Sequence, residues 1–156
     1  MKNVLFIAPT TYKVPLDDNM QKKFRYLSEV CKLNVIAFAN EKKVIKEENI
    51  NLYFYRKTSN RFFNYFKIIS VSIFSISKII KREKIEIVSF QDPVSSFLSM
   101  LIIKMRHKNI KVIVETHGDF IETLGLEKNL IFPGIYRNLF TKLASYTINN
   151  ADIIRA

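Results

Sequence analysis

The chain has 156 residues, 48% of them hydrophobic, which suits one domain with a sizeable core. Three glycines and four prolines leave little room for long linkers or disorder, and a single cysteine, Cys31, excludes an intramolecular disulfide. Lys and Arg number 25 against 14 Asp and Glu, a net charge of +11; this fits either an anionic partner (a membrane surface, a nucleic acid or a phosphorylated substrate) or a solvated basic surface.

Asn3 to Ala8 is a continuous apolar run that meets Pro9 at once. It is too short for a signal-peptide core and reads as a strand buried on both faces. Asp17 and Asp18 offer an N-cap to a helix over Asn19 to Cys31, with Met20, Phe24, Leu27, Val30 and Cys31 at helical spacing. Cys31, late in that helix, reads as a buried structural thiol and fits a reducing compartment. Leu33 to Ala39 is a second strand. A polar stretch from Asn40 to Asn49 separates it from a third, Ile50 to Tyr55.

A long helix is expected from about Arg61 to Glu83. Phe62, Phe66, Ile69, Ile73, Ile76 and Ile80 form one stripe, the mark of a core-facing side. Phe63, Tyr65, Ile68, Val71, Phe74 and Ile79 widen the apolar surface, and Arg56, Lys57, Arg61, Lys81, Arg82 and Lys84 flank it. Two readings stand, core packing alone or core packing plus contact with anionic headgroups. With Asn64, Lys67, Lys78 and four serines, the stretch is a poor candidate for a membrane span.

Ile85 to Phe90 is the fourth strand. Pro93 suits the first turn of a helix running to about His107. Ile110 to Glu115 is the fifth strand, and a loop is expected from Thr116 to Leu130. Pro133 opens another helix, to about Asn149, and Asp152 to Arg155 begins a sixth strand. Strands joined by helical crossovers imply a single α/β domain with a doubly wound parallel sheet and helices on both faces. The expected strand order, in chain order of these six, is 3-2-1-4-5-6.

Such sheets bind ligands beyond the C-terminal ends of their strands, near the reversal in strand order. Three segments fall there: Pro9 to Lys13, Gln91 to Pro93, and Thr116 to Phe120. The first lacks the Gly-x-Gly-x-x-Gly turn through which a dinucleotide pyrophosphate approaches the backbone, which disfavours oxidoreductase chemistry with NAD. There is no Gly-Lys-Ser/Thr phosphate loop, no Cys/His cluster with metal spacing, and no Gly-x-Ser-x-Gly elbow. Asp92 suits a helix cap and also a ligand contact. His117 beside Gly118 has two readings as well. One is a locally packed turn. The other is an imidazole that donates to a sugar hydroxyl or meets a phosphate where the glycine lets the backbone come close.

Four segments together carry a resemblance to a family. They are Lys2 to Ile7, Glu86 to Pro93, the turn Val114-Glu115-Thr116-His117-Gly118-Asp119, and the ending Asn150-Ala151-Asp152-Ile153-Ile154-Arg155-Ala156. In order and spacing, over essentially the whole chain, they resemble the N-terminal domain of the GT-B glycosyltransferases of family four, which are retaining enzymes. One departure is the loop Thr10 to Asn19, which has no glycine where many members carry a Gly-Gly pair near the donor phosphates.

The resemblance implies an acceptor-side Rossmann-like domain spanning residues 1–156, with the donor-binding domain absent and supplied in cis or on another chain. It implies transfer of a sugar from a nucleotide-sugar to a glycan or lipid-linked acceptor, without a metal or other cofactor, and little activity for the chain alone. By carry-over, His117 would position and polarise the transferring sugar. Thr11, Lys13, Asp92, His117, Gly118 and Asp119 are the expected substrate-binding residues. Cytoplasmic localisation is expected, peripheral at the inner face of the membrane, with an anionic membrane surface as a further partner. The alternative is a non-catalytic, membrane-recruiting subunit of a split glycosyltransferase. Nucleic acid is not expected as a partner, since no recognition helix or aromatic stacking motif accompanies the charge.

Overall fold

In the computed structural model the described residues are 1–59, 67, 70, 75–116 and 133–155, with the side chains of residues 133, 135 and 136 excepted. The elements are β1 (Lys2–Tyr12), α1 (Asp18–Val30), β2 (Cys31–Ala39), β3 (Lys43–Glu47), β4 (Ile50–Arg56), a helical segment α2 (75–82), β5 (Ile87–Phe90), α3 (Phe97–Arg106), β6 (Lys111–Glu115), α4 (Pro133–Asn149) and β7 (Ile153–Arg155). The seven strands form one sheet in the order β3-β4-β2-β1-β5-β6-β7. All neighbours run parallel except β3, which pairs antiparallel with β4. Leaving β3 aside, this is the 3-2-1-4-5-6 order expected from the sequence, and the fold is Rossmann-like.

The strands carry apolar side chains on both faces, and each face has its own core. On one side Phe24 of α1 packs with Val4, Leu33, Val35, Leu52 and Phe54. On the other, Ile76, Ile79 and Ile80 of α2 and Met100 and Ile103 of α3 pack with Leu5, Ile7, Val88, Phe90, Val112 and Val114. Tyr146 and Ile148 of α4 join the second core, and Tyr146 meets the Phe97 ring edge-on at 5.1 Å. Ile79 therefore lies in the core, 4% exposed, rather than on a widened outer face. Ile76 and Ile80 of the expected stripe are buried too. The other residues of that expected outer face, and the stripe from Phe62 to Ile73, lie outside the described residues.

The cap of α1 is as the sequence suggests, and several other boundaries depart from it. Asp17 caps α1 through a hydrogen bond from the Met20 amide, 2.9 Å long. The chain passes from Val30 straight into β2, so Cys31 opens a strand instead of ending a helix, and its thiol donates to the Leu27 carbonyl. Burial holds the Cys31 thiol above its ordinary pKa, which suits an inert thiol. The polar stretch after β2 contains β3, a short antiparallel edge strand. Residues 93–96 form turns, and the following helix begins only at Phe97. Among the described residues no helix is long and apolar enough to cross a membrane.

At the lower end of the sheet a polar network ties α2 to the strands. Asn34, fully buried, donates to the Val4 carbonyl and accepts from Asn51 at 2.9 Å. Asn51 also reaches Glu83, which accepts from Tyr53 and Arg82 and lies 3.6 Å from the Lys32 ammonium. α2 then ends in a left-handed turn at Lys84, φ 49°, where the Ile85 amide reaches back to the Ile80 carbonyl at 3.0 Å. This six-to-one bond closes the helix terminus.

Candidate functional site

The strand order reverses between β1 and β5. β1 runs on past β5 and is irregular there. Ile7 pairs with Ile36 and Thr11 with Phe38, so three β1 residues stand opposite one of β2. Pro9 lies in that stretch; it has no amide to give to a ladder, which is where a strand can bulge. The bulge sets Thr10 at the mouth of the β1–β5 crevice. Its hydroxyl donates to the Gln91 side chain across 3.4 Å, while the Gln91 amide bonds the Ile7 carbonyl at 3.2 Å.

Beyond Gln91, Asp92 turns its carboxylate onto its own turn. One oxygen accepts from the Val94 amide at 3.2 Å and the other from the Ser95 amide at 3.0 Å, and the Ser96 hydroxyl donates to the Asp92 carbonyl. Asp92 thus acts as a cap of its own turn, directly after Gln91 in the chain. Ser89, two residues before Gln91, is 2% exposed inside β5, and its hydroxyl has no hydrogen-bond partner among the described residues.

One strand further on, β6 ends in Glu115 and Thr116. The Thr116 amide bonds the Arg155 carbonyl at 2.8 Å, and the Arg155 guanidinium lies 3.7 Å from the Glu115 carboxylate. Arg155 is exposed, whereas the Glu115 side chain is only 13% exposed. His117, Gly118 and Asp119 follow directly in the chain but lie outside the described residues.

The first segment is split by the bulge. Thr10 faces β5, while Thr11 sits in β1 opposite Phe38, and Lys13 follows on the β2 side, exposed. Tyr12, between them in the same segment, is a core residue. Its ring packs against Phe24 at 5.7 Å and Phe54 at 5.8 Å, and burial raises its hydroxyl above the ordinary tyrosine pKa. Asn40 then fixes the chain by bonding both the amide and the carbonyl of Val14. The structure therefore brings Thr10 and Gln91 together at the strand-order reversal, with Asp92 next in the chain, and leaves Thr11 and Lys13 beside β2. Thr10 and Gln91 are the pair that sequence reasoning did not single out; Pro9 was the available sign of a bulge. Among the described residues no three His, Cys, Asp or Glu side chains are grouped to hold a metal ion.

A doubly wound α/β domain with polar groups gathered at its strand-order reversal belongs to the broad class whose ligands bind at that crevice. No protein family matches the sequence, and no curated protein matches it. Among solved structures, the chain is similar to sucrose-phosphate synthase from Thermosynechococcus elongatus, at 11% identity and a TM-score of 0.49, over 98% of this chain and 42% of that one. It is also similar to UDP-GlcNAc 2-epimerase from Methanocaldococcus jannaschii, at 16% identity and a TM-score of 0.42, over 96% of this chain and 41% of that one. The chain thus spans about two fifths of the length of each, and neither likeness carries a residue's role or an activity across.

Proposed function

We propose that this chain is the acceptor-side half of a GT-B glycosyltransferase resembling family four, which transfers a sugar with retention from a nucleotide-sugar to a glycan or lipid-linked acceptor. The observation that carries the reading is the crevice at the strand-order reversal, where Thr10 of β1 and Gln91 of β5 meet. The adjoining strand leads straight into Thr116-His117-Gly118, the turn that resembles the family's. On this reading the Thr10 hydroxyl and Gln91 amide hydrogen-bond sugar hydroxyls of the bound substrate. His117 orients and polarises the transferring sugar, and the donor-binding half comes in cis or from another chain. The net charge of +11 supports an anionic lipid surface as the place of work.

The test is sugar transfer from several labelled nucleotide-sugars. The chain by itself is expected to give little or no transfer, and robust turnover by it would end the half-enzyme reading. In the protein that carries both halves, His117→Ala is expected to lower turnover by roughly 10- to 1000-fold, the range for losing a transition-state hydrogen bond, with circular dichroism unchanged. Unaltered kinetics, or loss of the fold, would return His117 to a packing role.

A further inference from the structure

We propose that β3 is a dimerisation edge, through which two copies of this chain join their sheets by antiparallel β3–β3 pairing centred on Ile45. Among the described residues β3 closes one side of the sheet and pairs only with β4, so its outer edge offers amides and carbonyls to a further strand. Lys43, Val44, Lys46 and Glu47 are exposed, Val44 by 54%.

The sequence of this edge is self-complementary. In a two-fold antiparallel pair one residue stands opposite its own copy, and partners on either side follow from it. With Ile45 at the axis, Lys43 faces Glu47 of the second copy, and Lys42, just beyond the strand, falls opposite Glu48. Symmetry doubles both pairs. Lys46 faces Val44, whose apolar surface takes the lysine stem, and the two Ile45 side chains meet.

The neighbouring registers lack this match. Centring on Val44 sets Lys42 against Lys46 and Glu41 against Glu47. Centring on Lys46 sets that lysine against its own copy. Like charges directly opposite destabilise a pair, and unlike charges favour it. In a chain of net charge +11, the segment from Glu41 to Glu48 carries three cations and three carboxylates. The edge is thus locally neutral within a chain of strongly positive net charge.

The side chains of Lys43, Ile45 and Glu47 share the face that carries α1, since Ile45 packs against the α1 core. They also wall a cleft of about 260 Å³ whose lining includes Phe24 and Leu52. A second copy's Ile45 extends that apolar wall across the axis. A single five-residue strand pair is a small interface, so the dimer is weak and concentration-dependent. β4 and β2 separate this edge from β1, so pairing leaves the β1–β5 crevice open.

Sedimentation of the chain from low micromolar to about 1 mM at physiological ionic strength measures the association. Reversible dimerisation is expected, with Lys43→Glu and Glu47→Lys each weakening it at least about tenfold. The double variant Lys43→Glu/Glu47→Lys recreates the opposite-charge pairs with their signs exchanged and is expected to return to within about threefold of the wild type. A chain monomeric at 1 mM overturns the proposal. So does a dimer indifferent to the single reversals, or one that the double reversal fails to restore. Circular dichroism of each exposed-site variant checks that the fold is kept.

Discussion

Lys84 is the described residue whose backbone conformation its side chain suits least. It is not glycine, yet its φ of 49° places it in the left-handed region, which costs an L-residue roughly 1 kcal/mol. The surroundings hold it there. Ile85 bonds back to the Ile80 carbonyl, both isoleucines are buried, and the Lys84 carbonyl accepts from the Asn3 side chain at 3.1 Å. Glycine would take the same backbone without the Cβ clash and keep every one of these bonds. Lys84→Gly is expected to raise unfolding stability by about 0.5–1 kcal/mol, part of the gain being offset by the freer unfolded chain. A urea melt at pH 7 measures it, and a loss of stability would show that the lysine side chain itself holds the turn.

At the scale of elements, the network at Glu83 decides how α2 is fastened. Burial pushes the Glu83 carboxyl up, but hydrogen bonds from Arg82 and Tyr53 and the charges of Arg82 and Lys32 outweigh it, so the group lies below its ordinary value. The same pocket pushes the Tyr53 hydroxyl up, first by burial and then by the Glu83 charge. A carboxylate whose folded pKa is depressed adds stability above its unfolded value, near 4.3, and loses that contribution as pH falls through the folded value. Glu83→Gln is therefore expected to be less stable than the wild type at pH 7, by about 1 kcal/mol for a partly buried group left with poorer partners. The gap should close as pH falls from about 5 toward 3. Urea melts at pH 7, 5 and 3 check it, and a gap independent of pH would assign the loss to shape rather than charge. The elements of the sheet were legible where apolar residues run together, as at Val35 to Ala39 of β2, Leu52 to Tyr55 of β4 and Val112 to Val114 of β6. β3 was not, because its core-facing contribution is the single residue Ile45 among lysines and glutamates, and a run of that composition has the pattern of a loop. Thr10 was hidden for a different reason. The bulge that turns it toward Gln91 depends on register against β2 and β5, a tertiary property that residue spacing does not encode.

At the scale of the whole molecule, the described residues form one sheet with a core on each face. Val35 of β2 belongs to the α1 side, 2% exposed, and Val112 of β6 to the opposite side, fully buried. β1 and β5 stand between these strands, so the two valines lie about 14 Å apart, three strand spacings, and on opposite faces. Each Val→Ala change removes two buried methyl groups and leaves a small cavity, an expected cost of about 1.5–3 kcal/mol. With no shared neighbours, the costs should add to within about 0.5 kcal/mol in the double variant. Yet neither core can survive alone, because removing either helix layer exposes the same strands to water. The chain should therefore unfold in one step even with one core weakened. The sequence has no Trp and seven Tyr, so tyrosine fluorescence and far-UV circular dichroism are the two probes to follow. Coincident melts and additive losses are the expected result. Separate transitions in the single variants would show that the two faces fold independently.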